Sequence, residues 1–411
     1  MKIAGIEVHK KVLMVVVIDA TTPEEKPEQR RFTTMPSELH RLSSWLRAQD
    51  VQEAVMESTA QYWRSVWLEL EPHMLLHLAH AFSNRAPRGR KHDFRDAERL
   101  VRRLIADELI LSFVPKGEQR IWRSLTRMKT QLRRDRVRLQ NQIECLLEEV
   151  RIKLSSVVSD LLGASGLRIL RALAAGETEA KRLAALGDNR LKCTEEQLLD
   201  ALTGSSQPMH REMLALQLER LQLIDTQIAK LNNLIAQAMK PHQEAVMRLA
   251  EVPGLGVDSA QQIIAEVGVE ASTFSSAAEL TSWVGTCPGK DESAEENRNS
   301  HSAKGNKYLR RVLNQAAHAA VKKKGSHFQA VFRRLLPRLG YQATIWAIAH
   351  RLCRVVWKIL HERVQFIEQG SEPNPRLRNK RARMLARELR RLGYDIAITS
   401  RNAATQHGMR V

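Results

Sequence analysis

Apolar positions along the first eighty residues fall in short runs. Residues 2–8 and 11–18 carry Ile3, Ile6, Val8 and then Val12 to Ile18 as β-rich stretches, close enough together to form a hairpin. The Thr/Pro/Glu-rich residues 21–29 read as the turn that follows. Pro36 opens a predicted helix through Leu42, Trp45 and Leu46. Residues 51–56 then predict a strand, 62–70 a helix and 74–79 a last short strand. This alternation predicts an α/β sheet domain with carboxylates at strand ends. From Asp93 the apolar period becomes helical. Leu100, Val101, Leu104 and Ile105 mark one helix over 93–106. Trp122, Leu125, Met128, Leu132, Leu139, Ile143 and Leu146 mark another over 118–150. Leu214, Leu218, Leu221, Ile228 and Ile235 continue the pattern, with Asp225 and Asn232 at polar seam positions, so the two long helices predict a coiled-coil hairpin. Between them, residues 155–208 are broken by five glycines and read as a small insertion at the tip. The predicted organisation is an α/β domain at 1–115 and a coiled-coil helical spacer with small insertion at 116–245. A mainly α domain at 246–370 and a basic helical tail at 371–411 complete it.

Charge narrows the partner class. The 411 residues hold 65 Lys+Arg against 46 Asp+Glu, a formal charge of +19, while 43% hydrophobic content still allows packed cores. A surplus of this size points to a polyanion, with nucleic acid foremost. No stretch approaches the ~20 apolar residues needed to span a bilayer, so no membrane partner is expected. The N-terminal apolar run ends at Asp19 without a small-residue cleavage site and reads as a strand rather than a signal peptide. Cys145, Cys193, Cys287 and Cys353 are widely spaced, which suits buried thiols in a reducing cytoplasm. The expected location is cytoplasmic, with nucleoid association when bound to DNA.

Two groups of residues carry candidate chemistry. Glu7 ends the first predicted strand, Glu57 follows the strand at 51–56, and Asp93 and Asp96 lie three apart where a helix begins. Residues i and i+3 share a helix face, so the two aspartates can point at one site. Four carboxylates gathered in this way would suit Mg2+ and phosphodiester chemistry, because hard oxygen ligands hold cations that neutralise phosphate. Arg85, Arg88, Arg90, Lys91, Arg95 and Arg99 give a cationic approach. Singly, each carboxylate reads more readily as a solvated strand-end acid or a first-turn helix acid, and it is their joint order along the chain that favours a site. The second group begins at Pro253-Gly254-Leu255-Gly256, a turn between helices. The amides at Gly254 and Gly256 are candidates for phosphate contact, and an ordinary interhelical turn is the alternative. Trp283-Val284-Gly285-Thr286-Cys287-Pro288 then leads into a polar loop, 289–303, with Ser293, Ser300 and Ser302. The basic turn Lys304-Gly305-Asn306-Lys307-Tyr308-Leu309-Arg310 follows, and Lys304, Asn306, Lys307 and Arg310 are its candidate nucleic-acid contacts.

Taken in order, several stretches resemble the DEDD-type transposases of one family of bacterial insertion sequences, the bridge-RNA-guided recombinases. They are Gly5-Ile6-Glu7-Val8-His9-Lys10, Met56-Glu57-Ser58-Thr59-Ala60-Gln61-Tyr62-Trp63, Lys91-His92-Asp93-Phe94-Arg95-Asp96-Ala97, Pro253-Gly254-Leu255-Gly256, Trp283-Val284-Gly285 with Pro288, and the turn at 304–310. The resemblance implies an α/β RuvC-like, RNase H-type N-terminal domain, a coiled-coil spacer and a mainly α transposase domain. It implies Mg2+ held by Glu7, Glu57, Asp93 and Asp96, and Ser293 as the nucleophile that becomes linked to DNA. It further implies donor and target double-stranded DNA, a structured non-coding RNA that pairs with both, and a homo-oligomer, dimer or tetramer, whose active site is shared between protomers. Arg120, Arg123, Arg127, Arg133, Arg134 and Arg138 on the first long helix would suit backbone contacts to such nucleic acids. Two positions depart from the family pattern: Glu7 stands where it has Asp, and Ala294 where it usually has Gly after the serine. The competing readings are a RuvC-like junction nuclease using water, and a catalytically decayed basic nucleic-acid-binding protein.

Overall fold

The computed structural model describes all residues except 23, 25, 58–59, 82, 85–91, 288–291, 294–295, 298–301, 303, 369–374 and 396–411. For 292–293, 296–297 and 375–381 it describes the backbone alone. The chain divides into two compact units, Met1–Lys116 and Gly117–Val411.

The first unit is built on β1 (Lys2–Val8), β2 (Val12–Asp19) and β3 (Glu28–Thr33), followed by α1 (Pro36–Ala48), β4 (Val51–Glu57), α2 (Trp63–Leu70), β5 (Leu75–Ala79) and α3 (Asp93–Ile105). The sheet order is β3-β2-β1-β4-β5. The first three strands pair antiparallel, while β4 joins β1, and β5 joins β4, in parallel. Parallel pairing requires crossover connections, which α1 and α2 supply. Successive side chains of a strand point to opposite faces. On one face Ala4, Ile6 and Val8 pack with Leu39, Leu42 and Leu46 of α1 and Val66, Trp67 and Leu70 of α2. On the other, Ile3, Val16 and Val55 pack with Ala97, Leu100 and Val101 of α3.

One element departs from the expectation. The stretch read as a turn ends where β3 begins, and β3 buries only Phe32 among six residues. It is an edge strand, held by backbone hydrogen bonds to β2, so its sequence needs no apolar alternation.

Among its described residues, the second unit is helical apart from one small hairpin. Its elements are α4 (Gly117–Glu149), α5 (Leu154–Val157), α6 (Ala164–Ala174), α7 (Ala180–Ala184), α8 (Glu195–Ala201) and α9 (Pro208–Ala238), then α10 (Gln243–Ala250), α11 (Val257–Val267) and α12 (Ala277–Val284). After these come β6 (Glu292–Ser293), β7 (Glu296–Asn297), α13 (Lys307–Ala320), α14 (His327–His361) and α15 (Pro375–Arg391). Helices α4 and α9 pack along each other, and Arg136 Nε donates to the seam carboxylate Asp225 Oδ1 at 2.7 Å. The short helices between them share one core with the pair: Leu139, Ile143 and Leu146 of α4 meet Ile169 and Leu170 of α6, Leu198 of α8, and Leu214 and Leu221 of α9. The N-terminal half of α4 packs against α11, which also touches α13. No helix among the described residues is long and apolar enough to cross a membrane.

Candidate active site

Strand register brings the acidic residues of the first unit together. In the parallel pair β1–β4, Gly5 lies opposite Val55 and Ile6 opposite Met56, so Glu7 and Glu57 end adjacent strands at the same edge. Alternation places both on the face that carries Ile3 and Val55, the face covered by α3. Helix α3 can lie this close to β1 because residue 5 is glycine: any Cβ there would collide with the carbonyl of Ala97 and the side chain of Val101. Ala97, Leu100 and Val101 seat the helix on the sheet. Its first turn, carrying Asp93 and Asp96, therefore comes to the strand ends.

The charges of these four groups reach one another. Burial, then the negative charges of Glu57, Asp96 and Asp93, push the Glu7 carboxyl up to about 7, with Arg99 acting in the opposite direction. Glu7 Oε2 is buried and accepts no hydrogen bond among the described residues. The other carboxylates have protein partners. Asn84 Nδ2 donates to Glu57 Oε2 at 2.8 Å, Arg99 Nη2 donates to Asp96 Oδ1 at 2.6 Å, and Arg99 Nε reaches Asn84 Oδ1 at 3.3 Å. His9 Nε2 lies 3.6 Å from Asp93 Oδ2. A set of hard oxygen donors with unmatched negative charge and one orphaned carboxylate oxygen fits a divalent cation by charge and donor type. Among the described residues, no three or more Asp, Glu, His or Cys side chains are drawn in tightly enough to enclose an ion. Glu57 and Asp96 are instead held by Asn84 and Arg99.

In the second unit, the backbone of Ser293 pairs with that of Glu296 in the β6–β7 hairpin. The hairpin sits between two well-anchored stems. Helix α12 ends at Gly285, and α13 starts at Asn306, whose Oδ1 accepts from the amides of Tyr308 and Leu309 at 3.0 and 3.1 Å.

Two family models match the chain. Residues 4–152 match a transposase model of the DEDD type from IS110 elements, and residues 246–333 match the transposase IS116/IS110/IS902 family. Both stretches are thus similar to domains of IS110-type transposases, in the same order along the chain. A probable family 20 transposase of Pseudomonas aeruginosa is 27% identical over 306 residues, which is 74% of this chain and 81% of that protein. Transposases of this kind cleave and recombine DNA, and the DEDD domain implies an RNase H-like α/β fold, consistent with the mixed five-stranded sheet.

The sequence-predicted residues of the chain are placed unevenly. Glu7, Glu57, Asp93 and Asp96 come to one edge. Arg95 is exposed beside them, whereas Arg88, Arg90 and Lys91 lie outside the described residues. Lys304 and Lys307 are exposed. Gly254 packs against α13, where a Cβ would collide with the Ala316 carbonyl, while Gly256 is open and caps α11 without a side-chain hydrogen bond. Asn306 and Arg310, read from sequence as nucleic-acid contacts, are engaged internally. Asn306 Nδ2 donates to Glu266 Oε2 at 2.8 Å, and Arg310 donates to Gly285 O and Ser302 Oγ. Part of the arginine ladder also turns inward: Arg123 and Arg127 meet Glu266, and Arg133 meets Asp258. The sequence reading missed Asn84, which is only 3% exposed and bridges Glu57 to Arg99. An asparagine after a short strand carries no pattern that separates it from a turn residue. The side chain of Ser293 and all of Ala294 lie outside the described residues.

Proposed function

We propose that the transposase cleaves and exchanges DNA strands through Ser293, assisted by Mg2+ held by Glu7, Glu57, Asp93 and Asp96. The observation that carries this reading is the buried Glu7 oxygen, which has no hydrogen-bond donor among the described residues and is crowded by three like charges. Evolution of a stable fold alone gives no reason to gather four acids at one sheet edge, since each raises the cost of ionising the next. The ion would neutralise phosphate charge at the reacting phosphodiester. Glu57 and Asp96 would serve it by leaving Asn84 and Arg99, which keep them ordered otherwise. Glu7, one methylene longer than the aspartate of the family pattern, would reach the same ion from deeper in the sheet.

The serine step balances simply. The serine oxygen bonds to phosphorus as one deoxyribose oxygen leaves, and the serine proton accompanies that leaving oxygen. Attack by a hydroxyl of the incoming strand reverses the exchange and frees the serine. The +19 charge supports a structured RNA as a further partner, with base pairing supplying the sequence readout and cationic side chains the affinity. Multimers in which the acids of one protomer serve the serine of another complete the proposal, on the strength of the family resemblance.

Ser293→Ala is expected to abolish the covalent protein–DNA adduct, seen as a denaturation-resistant band shift, while DNA affinity stays at the wild-type value. An unchanged adduct would assign the nucleophile elsewhere. Junction cleavage without any adduct, indifferent to Ser293→Ala, would replace the proposal by hydrolysis with water.

A further inference from the structure

The segment that carries Ser293 leaves and re-enters the helical body through two stems, and one side chain joins them. On the outgoing stem, Gly285 caps α12, and the buried Thr286 donates from Oγ1 to Thr281 O at 3.1 Å. On the returning stem, Gly305 presses so closely on the backbone of Val284 and Gly285 that any Cβ would collide with it. Arg310 lies one turn into α13. Its Nη1 donates to the carbonyl of Gly285 on the outgoing stem, and its Nη2 donates to Ser302 Oγ on the returning stem at 3.0 Å. The guanidinium stacks on Trp346 of α14, 4.4 Å from the ring centroid. An arginine suits this task because its planar fork offers several donors in fixed directions, whereas a lysine ammonium is a flexible point charge.

We propose that Arg310 is a positioning residue for the nucleophile: it closes the base of the loop and so fixes where Ser293 meets the phosphodiester. The proposal rests on the reading of Ser293 above and departs from the expectation that Arg310 contacts nucleic acid. Its physical basis is that a displacement of about 1 Å at a reacting group is enough to cost on the order of 100-fold in rate. The two stems therefore control reactivity without touching DNA.

The test uses full-length protein expressed together with the DNA that flanks its gene, so that any RNA encoded there is present. Arg310→Ala, Arg310→Lys, Ser302→Ala and Ser293→Ala are compared with wild type. Four quantities are followed: the rate of adduct formation, affinity for a duplex of the flanking DNA, the melting temperature, and the rate of tryptic cleavage at Lys290 and Arg298 within the loop. Arg310→Ala is expected to slow adduct formation about 100-fold, to leave duplex affinity unchanged and to hasten cleavage at both sites. Lysine at 310 is expected not to rescue the rate. Ser302→Ala, which removes one of the two bonds and leaves the Trp346 stacking intact, is expected to give a smaller slowing in the same direction, and this variant decides the matter if Arg310→Ala lowers the melting temperature. Equal losses of rate and affinity in Arg310→Ala would make Arg310 a nucleic-acid contact and overturn the proposal. So would a wild-type rate with unchanged cleavage. If Ser293→Ala keeps the wild-type adduct, or wild type forms none, the nucleophile reading fails by itself; the tryptic comparison then still decides whether Arg310 closes the loop.

Discussion

The two units bury carboxylates in opposite ways. At the edge of the N-terminal sheet, Glu7 is surrounded by three further acids, keeps an oxygen without a partner among the described residues and has its carboxyl raised to about 7. In the helical unit, Glu266 is more deeply buried, at 3% side-chain exposure, yet it is fully matched. Arg127 grips it with two hydrogen bonds of 2.8 and 2.9 Å, Asn306 adds a third at 2.8 Å, and Arg123 stands 3.4 Å away while bonding the Ala265 and Glu266 carbonyls. Burial brings the Arg123 guanidinium down to about 10 against the pull of Glu266. Burial lowers Arg127 as well, but there the hydrogen bonds and charge of Glu266, with Tyr308, outweigh it and leave the guanidinium raised. A buried acid that owns its cations is framework, tying α4 to α11 and to the start of α13. One set among like charges, with only Arg99 acting against them, is instead strained by its surroundings, and it is this strain that the proposed cation would relieve.

The sharpest way to break this comparison is to remove the framework acid. Glu266→Ala leaves Arg123 and Arg127 without a counter-charge and Asn306 without its acceptor. A loss of about 3–5 kcal/mol is expected from breaking a buried pair on one side, read from the urea midpoint of the full chain. A loss below ~1 kcal/mol would show that solvent reaches the arginines and that the network is no framework at all.

The same operation on the other acid should have the opposite sign. Glu7→Gln removes one of four mutually repelling charges, so at pH 8 in metal-free buffer the variant is expected to be more stable than wild type by about 1–2 kcal/mol after allowance for solvent screening. Adding Mg2+ should raise the wild-type urea midpoint and leave that of the variant nearly where it was. A destabilised Glu7→Gln protein would mean that the carboxylate makes a structural bond, and would move the site into the same class as Glu266.

The contrast also explains what could be read from the sequence. The sheet edge was legible because its geometry follows local rules: acids at the ends of two predicted strands, and aspartates three apart at a helix start. Glu266 offered no such signal. It lies in the apolar helix Val257–Val267, and its partners are 139 to 143 residues earlier and 40 later in the chain. The internal bonds of Asn306 and Arg310 were hidden for a related reason. A basic turn announces residue types that favour phosphate, but the direction of each side chain is decided by distant backbone, here Gly285, and by distant side chains such as Glu266 and Trp346. The strand β3 was missed because an edge strand with one buried residue satisfies its backbone without displaying a pattern.

The smallest effect expected lies between the two extremes. Asp258, in the first turn of α11, is half-exposed and is paired with Lys129 and with Arg133, the latter at 2.8 Å. Burial pushes its carboxyl up, but hydrogen bonds and charges from Lys129 and Arg133 together outweigh that and leave it below the ordinary aspartate value. A carboxyl with a depressed folded-state value stabilises the fold fully above its unfolded value, near 3.9, and loses that contribution as pH falls through the folded value. At 40% side-chain exposure the contribution is screened to less than about 1 kcal/mol. Asp258→Asn should therefore lower the urea midpoint slightly at pH 7 and converge with wild type as pH falls below the ordinary aspartate range. A difference that persists unchanged to low pH would assign the loss to helix α11 packing rather than to charge. Lys129, only 3% exposed, would then be held by something other than the pairing that makes the helical unit tolerate its buried cations.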